Sequence, residues 1–285
     1  MSHPPAGADR AGETTGGSPI QDAEIEALLR ELGGYQRGGY RTLEHEDISV
    51  KDDTGHGYSV VTEYDVETER RVHAFLSERF PQDSFIGEEL GNVRRDPRRY
   101  WVLDPIDGTS NFTQGIPFWG PSLAFWDEKG PAHGWIYFPA LDQMFRAARG
   151  QGAFRDGARL KTSTVAEYSN LCTVATVSRM HRRFQLACPA KHRILGSIVV
   201  NLAYLAAGTF AAMYCRGSVW DLAAGIVVAR EAGAVLEFDP PLESIDLAAL
   251  DPKNSPSISV YGMANARLPR LKGFIRPLEK QIEGR

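Results

Sequence analysis

Apolar residues recur at helical spacing near the start of the chain. Ile25, Leu28, Leu29 and Leu32 share one face and predict a helix over Ile20–Leu32. Gly33-Gly34 either ends it or marks close packing, and Tyr35 and Tyr40 can extend it. Ile48–Lys51 and Tyr58–Thr62 read as strands, and the polar Asp52–Gly57 between them predicts a hairpin with a mobile tip. Val72, Phe75, Leu76 and Phe80 give a second amphipathic helix over Asp65–Phe80, with Thr62 and Asp65 at capping positions and Pro81 as its stop. Ser84–Ile86 is a short strand that ends in Gly87-Glu88-Glu89. A polar insertion, Asn92–Arg99, then precedes an apolar strand opening at Trp101.

Beyond that strand, Ser122–Trp126, Trp135–Phe138 and Gln143–Ala147 predict an antiparallel meander, with Glu128-Lys129-Gly130 as a hairpin turn. Gly150, Gly152 and Gly157 suggest a subdomain boundary. The second half then alternates: strand Leu171–Val177, helix Ser197–Ala207, strand Phe210–Tyr214, helix Asp221–Ala232, strands Val235–Phe238 and Ser257–Tyr261, and a last helix over Ala264–Leu271. Helices followed by a meander, and then strand–helix alternation, place the chain in the α+β / α/β class. The expected division is an α+β unit over residues 20–155 carrying most of the acids and an α/β unit over residues 156–275.

Composition narrows the class of function. With 285 residues the chain is long enough for a sizeable core, and its 42% hydrophobic and 24% charged content is ordinary for a globular protein. A net charge of -4 provides no basic field for nucleic acid or an anionic membrane. No apolar run reaches the length of a membrane span, and no secretory pattern opens the chain, so a cytoplasmic protein is expected. Three cysteines without metal-ligand spacing are expected to be reduced thiols. Residues 1–19, rich in Gly, Ser, Pro and Thr, are expected to be disordered, and Ile282-Glu283-Gly284-Arg285 matches a protease-cleavage remnant.

The chemistry gathers at Trp101–Phe112. Three apolar residues suited to a buried strand lead into Asp104-Pro105-Ile106-Asp107-Gly108-Thr109, followed by Ser110 and Asn111 at a helix start. Such a strand end is a place to hold cations and a phosphate. Asp65, Glu88 and Asp221 also end strands or begin helices. Carboxylates crowded together carry a high electrostatic cost unless cations sit among them. An oxygen-only donor set favours Mg²⁺ over Zn²⁺. Two such ions roughly 3.5–4 Å apart can activate a water and stabilise a leaving oxygen.

Gly87-Glu88-Glu89, Asp104-Pro105-Ile106-Asp107-Gly108-Thr109 and Trp220-Asp221-Leu222-Ala223-Ala224-Gly225, in this order, resemble the inositol monophosphatase family, and Val61-Thr62 with Asp65 matches its upstream motif. The likeness runs from about Ile20 to Leu271. It implies a layered αβαβα sandwich and a Mg²⁺-dependent, Li⁺-sensitive phosphomonoesterase that forms homodimers. By resemblance, Glu88, Asp104 and the Ile106 carbonyl hold one ion. Asp104 bridges to a second, held also by Asp107 and Asp221. Thr109 and Asp65 orient and deprotonate the attacking water, Asp65 also reaches a third ion through water, and Glu88 counts with them among the catalytic residues. The backbone N–H groups of Gly108 and Thr109, with Ser110 beside them, face phosphate, and Asp221 lies near the substrate.

Other positions have plainer readings. Taken alone, Asp65 is a helix cap. Glu89 is either support for Glu88 or a surface acid, and Lys51 is either a site residue or a solvated charge. Family members that act on inositol phosphates carry an acid shortly before Trp-Asp, whereas this chain reads Met213-Tyr214-Cys215-Arg216-Gly217-Ser218. Ile194-Leu195-Gly196-Ser197 also departs from the usual loop. Ser197, Cys215 and Arg216 are therefore candidates for setting specificity. The expected substrate is a small polyol or sugar phosphate. The alternatives are histidinol phosphate, fructose 1,6-bisphosphate and adenosine 3',5'-bisphosphate. A rival of another class is a catalytically weak, metal-dependent binding or regulatory protein, recognisable by ligand binding without phosphate release.

Overall fold

The computed structural model describes residues 20–43, 47–51, 59–178, 180–182, 184–250 and 255–278. The expected hairpin tip at Asp52–Gly57, the segment 1–19 and the terminal Ile282–Arg285 lie outside the described residues. The chain opens with α1 (Asp22–Gly39), the short pair β1 (Ser49–Lys51) and β2 (Ser59–Val61), and α2 (Glu63–Arg79). It continues through β3 (Asp83–Gly87), β4 (Asn92–Val93), β5 (Asp96–Asp107), α3 (Thr109–Thr113), β6 (Gly120–Asp127), β7 (Gly130–Phe138), β8 (Gln143–Ala148), β9 (Gly152–Arg155) and β10 (Ala158–Arg159).

The strands from β3 to β10 form one eight-stranded sheet in the order β10-β9-β8-β7-β6-β5-β3-β4. It is antiparallel except where β3 runs parallel to β5. Side chains alternate across its faces. On one face Trp101, Leu103, Leu123, Phe125 and Trp135 pack with Ile25, Leu29 and Leu32 of α1 and Val72 and Leu76 of α2. Gly33-Gly34 does not end α1, which runs on to Gly39, because Gly33 lies against the Tyr137 ring where no side chain fits. The expected insertion at Asn92–Arg99 is itself sheet: it supplies β4 and the start of β5. Gly150 and Gly157 lie in the turns on either side of β9, which Gly152 opens, at the sheet edge.

The remaining elements are β11 (Thr173–Thr176), β12 (Phe184–Leu186), β13 (Lys191–Ile194), α4 (Ile198–Ala206), β14 (Ala212–Gly217), α5 (Val219–Ala232), β15 (Val235–Asp239), β16 (Ile258–Met263) and β17 (Ile275–Pro277). A second sheet has the order β13-β11-β14-β16-β15, with β11 parallel to both β13 and β14. Helices α4 and α5 fill the space between the two sheets. They are apolar nearly all round, as helices buried on both sides must be. At Gly134 in β7 the contact is backbone to backbone: a Cβ there would lie 2.6 Å from the carbonyl oxygen of Ala224 in α5.

The second sheet's other face carries Tyr214 and Tyr261, covered by Phe184 and by Lys272 over the Tyr261 ring. The expected α-helix at Ala264–Leu271 is not formed. Residues 264–270 are turns and extended chain, and a 3₁₀ segment, Leu271–Phe274, follows. Pro269 accounts for this, since it lacks the N–H that a continuing helix needs and clashes with the preceding turn. The outer layer is thus built of 3₁₀ segments and the β12–β17 ribbon among the described residues. The whole is an α+β layered sandwich.

Candidate active site and metal centre

The carboxyl end of β5 is shaped by a bulge. Asp104 pairs with Ser122 and Asp107 with Gly120, so three steps on β5 face two on β6. The extra residue, at Pro105-Ile106, bends the strand away from regular pairing. The bend is held by Ile106 N–H, which donates to Asp104 Oδ1 at 3.0 Å. Gly108 follows with φ 90°, the left-handed conformation that favours glycine, and caps the five-residue α3. The first amides of α3 have no partner within the helix.

Two more acids arrive by one local device. Asp65 is the third residue of α2, and its Oδ2 accepts from Thr62 N–H at 2.8 Å and Thr62 Oγ1 at 2.6 Å. Asp221 is the third residue of α5 and accepts from Ser218 N–H at 2.7 Å. Both are capping boxes, with an Asp in place of the usual Glu or Gln. The plain reading of Asp65 as a cap holds, and the same carboxylate also reaches α3. Its Oδ1 faces Thr109 Oγ1 at 3.2 Å, and that hydroxyl also lies 2.9 Å from the Ile106 carbonyl.

Glu88, just past β3, meets Asp104 and Asp221. One carboxylate oxygen from each lies within 4.8 Å of the other two. Burial raises Asp104 well above the ordinary carboxylate range, and the charges of Glu88, Asp107, Asp221 and Asp65 add to it. Burial also raises Asp221, with Glu88 and Asp107 contributing. Converging oxygens, two of them from the raised Asp104 and Asp221, fit a hard divalent cation.

Asp107 is oriented differently. Its oxygens accept from Ile198 N–H at 3.0 Å and Val199 N–H at 2.7 Å, at the start of α4. Burial lifts it to about 6, against the lowering effect of Ser197 and those two amides. Ser197 in turn caps α4, its Oγ accepting from Val200 N–H at 3.2 Å. The loop before α4 is tied to α3 by Asn111, whose amide donates to Phe118 O at 2.7 Å and Leu195 O at 2.8 Å.

The other candidates divide. Cys215 is fully buried, and its thiol is raised by burial and by Asp221 and Asp107 close by. Arg216 is exposed near the end of β14, opposite Ser259, and Ser110 is exposed on α3. Glu89 is half-buried, with its backbone N–H bound. Lys51 closes β1, and its side chain lies outside the described residues. Sequence reasoning missed three polar residues that support the site: Gln36, Asn111 and Glu69. Gln36 Nε2 joins Thr68 Oγ1 at 3.0 Å to the Pro105 carbonyl at 2.9 Å, and Glu69 is wholly buried. The signal for Glu69 is its place on the buried stripe Asp65, Thr68, Glu69, Val72, Leu76 of α2.

Known proteins resemble this chain in sequence and fold. A family model described as the inositol monophosphatase family matches residues 20–251. "Inositol monophosphatase 3" of Solanum lycopersicum is 32% identical over 247 residues, which cover 80% of this chain and 88% of that protein. "Histidinol-phosphatase" of Chlorobaculum parvum is 31% identical over 227 residues, 74% of this chain and 83% of that one. The crystal structure of extragenic suppressor protein suhB from Bartonella henselae aligns with a TM-score of 0.72 at 25% identity, covering 85% of this chain and 93% of that one. A strand-end acid pair, two capping-box aspartates and a matching sequence over most of the length lead to one conclusion: the chain belongs to the inositol monophosphatase family.

Proposed function

We propose that this phosphomonoester hydrolase uses Mg²⁺ to release phosphate from a small polyol or sugar phosphate by direct attack of water. The observation that carries the reading is the convergence of Glu88, Asp104 and Asp221 beside the Asp65–Thr109 pair. Glu88, Asp104 and Asp221 would hold the ions, joined by the Ile106 carbonyl and by Asp107 once its carboxylate turns from α4. When bound, Mg²⁺ supplies positive charge to the phosphate oxygens and acidifies a coordinated water.

The chain's own groups do the rest. Thr109 Oγ1, giving its proton to Asp65 Oδ1, keeps its lone pairs free to accept from a water and so aims that water's oxygen. Asp65 is the terminal acceptor for the relayed proton. The amides that open α3 face the phosphate and become better satisfied as negative charge grows on it. No serine or cysteine is required as a nucleophile. Inhibition by Li⁺ and a homodimeric state are part of the same proposal, supported by family membership.

For the leaving group, the segment Tyr214–Ser218 supplies no carboxylate to pair with ring hydroxyls. Recognition of the alcohol therefore rests on other groups, which keeps the histidinol-phosphate reading in view given the Chlorobaculum relative. The test is phosphate release from inositol phosphates, sugar phosphates, histidinol phosphate, fructose 1,6-bisphosphate and adenosine 3',5'-bisphosphate, with and without Mg²⁺. A polyol or sugar phosphate should be preferred and chelator should abolish turnover. Turnover that persists in chelator or in Asp104→Asn would overturn the reading.

A further inference from the structure

The carboxylate of Glu69 has no role in the mechanism above, yet it is completely buried. Its Oε2 accepts from Glu89 N–H at 2.8 Å and its Oε1 from Leu90 N–H at 2.8 Å. It also lies close against the strand end, where a Cβ on Gly87 would clash with Glu69 Oε1. The hydrogen bonds at residues 89 and 90, with the close approach at Gly87, therefore bracket Glu88. That residue supplies one of the three converging carboxylates.

Glu69 stands four residues after Asp65 on α2, so both side chains leave the same face of the helix. Thr68, between them, reaches the Asp104–Asp107 bend through Gln36. One helix face thus sets three segments against one another: Asp65 meets Thr109, Thr68 meets the bulge through Gln36, and Glu69 meets the Glu88 loop.

We propose that Glu69 is a positioning residue that fixes the direction of the Glu88 carboxylate, and so sets how tightly the first Mg²⁺ is held. A carboxylate is suited to the task because it accepts from two adjacent N–H groups at once. An amide there would turn its NH₂ toward one of them and release one side of the loop. Groups that orient metal ligands typically change affinity about 10–100-fold when altered. The proposal rests on the metal-site reading given under Proposed function.

The experiment is a calorimetric titration of Mg²⁺ into metal-free protein, with no substrate present. Parent, Glu69→Gln and Glu88→Gln are compared, and circular dichroism is recorded for each. Glu69→Gln should raise the Mg²⁺ Kd by about tenfold or more, with kcat recovering at saturating Mg²⁺. A residue that only stabilised the fold would lower the melting temperature and leave the Kd of the folded fraction unchanged. Gly87→Ala provides a second variant, because its methyl group displaces the loop from the other side, and it too should weaken Mg²⁺. A Kd within about twofold of the parent in whichever variant folds overturns the proposal. If Glu88→Gln weakens Mg²⁺ while Glu69→Gln does not, this inference alone fails. If Glu88→Gln leaves Mg²⁺ binding unchanged, the metal-site reading fails with it.

Discussion

Thr109 Oγ1 lies 3.2 Å from Asp65 Oδ1, joining the first turn of α3 to the first turn of α2 across 44 positions of sequence. If that contact aims the attacking water, Thr109→Ala should lower kcat by about 10²–10⁴ and leave KM nearly unchanged. Thr109→Ser, which keeps the hydroxyl, should retain most of the rate. Asp65→Asn combined with Thr109→Ala should be little worse than either change alone. Steady-state kinetics of these four variants and the parent decide it, and fully additive losses would separate the two residues.

The acid cluster gives a pH dependence with a definite sign. Asp104, Asp107 and Asp221 all titrate above the ordinary carboxylate range in the folded chain, Asp107 at about 6. Their folded values exceed the unfolded ones, so the protonated forms contribute stability that is complete below about pH 4, and the Asp107 share of it is lost as the pH rises through about 6. Without metal, the melting temperature should therefore fall between about pH 5 and pH 7.5, and Mg²⁺ should raise it mainly at the upper end. Thermal scans with chelator and with Mg²⁺ test this. A larger Mg²⁺ effect at the acidic end contradicts it.

Asp107 differs from Glu88 in what it supports without metal. It accepts two amides that open α4, so Asp107→Ala should destabilise the metal-free protein by about 1–2 kcal/mol, the usual cost of a lost cap. Glu88→Gln removes one of the mutually repelling carboxylates and should leave the metal-free melting temperature level or higher. Denaturant titration in chelator compares them, and equal losses from the two variants would count against the distinction.

Packing between the layers can be tested away from the site. A methyl group at Gly134 meets the Ala224 carbonyl at 2.6 Å, and neither backbone yields easily. Gly134→Ala should cost about 1–3 kcal/mol, the range for an overpacked core. Because β7 carries no residue of the site, the rate per folded molecule should be unchanged. Chemical unfolding and active-fraction kinetics measure the two effects separately.

The parts of this protein that were legible in its sequence are those where chemistry interrupts a strong pattern. Asp104 and Asp107 stand out because they close an apolar strand, and Asp221 because it follows a tryptophan at a helix start. Glu69 was hidden because a glutamate inside a charged helix looks solvated until the helix is seen to bury that stripe. Strand β13, Lys-His-Arg-Ile, shows neither alternation nor an apolar run, since it is an exposed edge guarded by charge. The polar stretch before Trp101 concealed half of β5 for a similar reason: its arginines point to solvent or pair with Asp96 and Asp83. At Ala264–Leu271 the apolar spacing misled, and Pro269 was the residue to heed.

The placement of Asp104 and Asp221 has a consequence for how the molecule comes into being. Asp104 ends a strand of the eight-stranded sheet, while Asp221 opens the helix that follows β14 of the five-stranded one. The partner that β14 shares with β15 is β16, which is made after Asp221. A chain still emerging from the ribosome can pair β3 with β5 and bring Glu88 to Asp104, yet it lacks the third carboxylate and the strand that steadies it. On the proposed metal-site reading, the three carboxylates meet only once α5 and its sheet are in place, and a bound cation would join segments of the chain that are made at well-separated times.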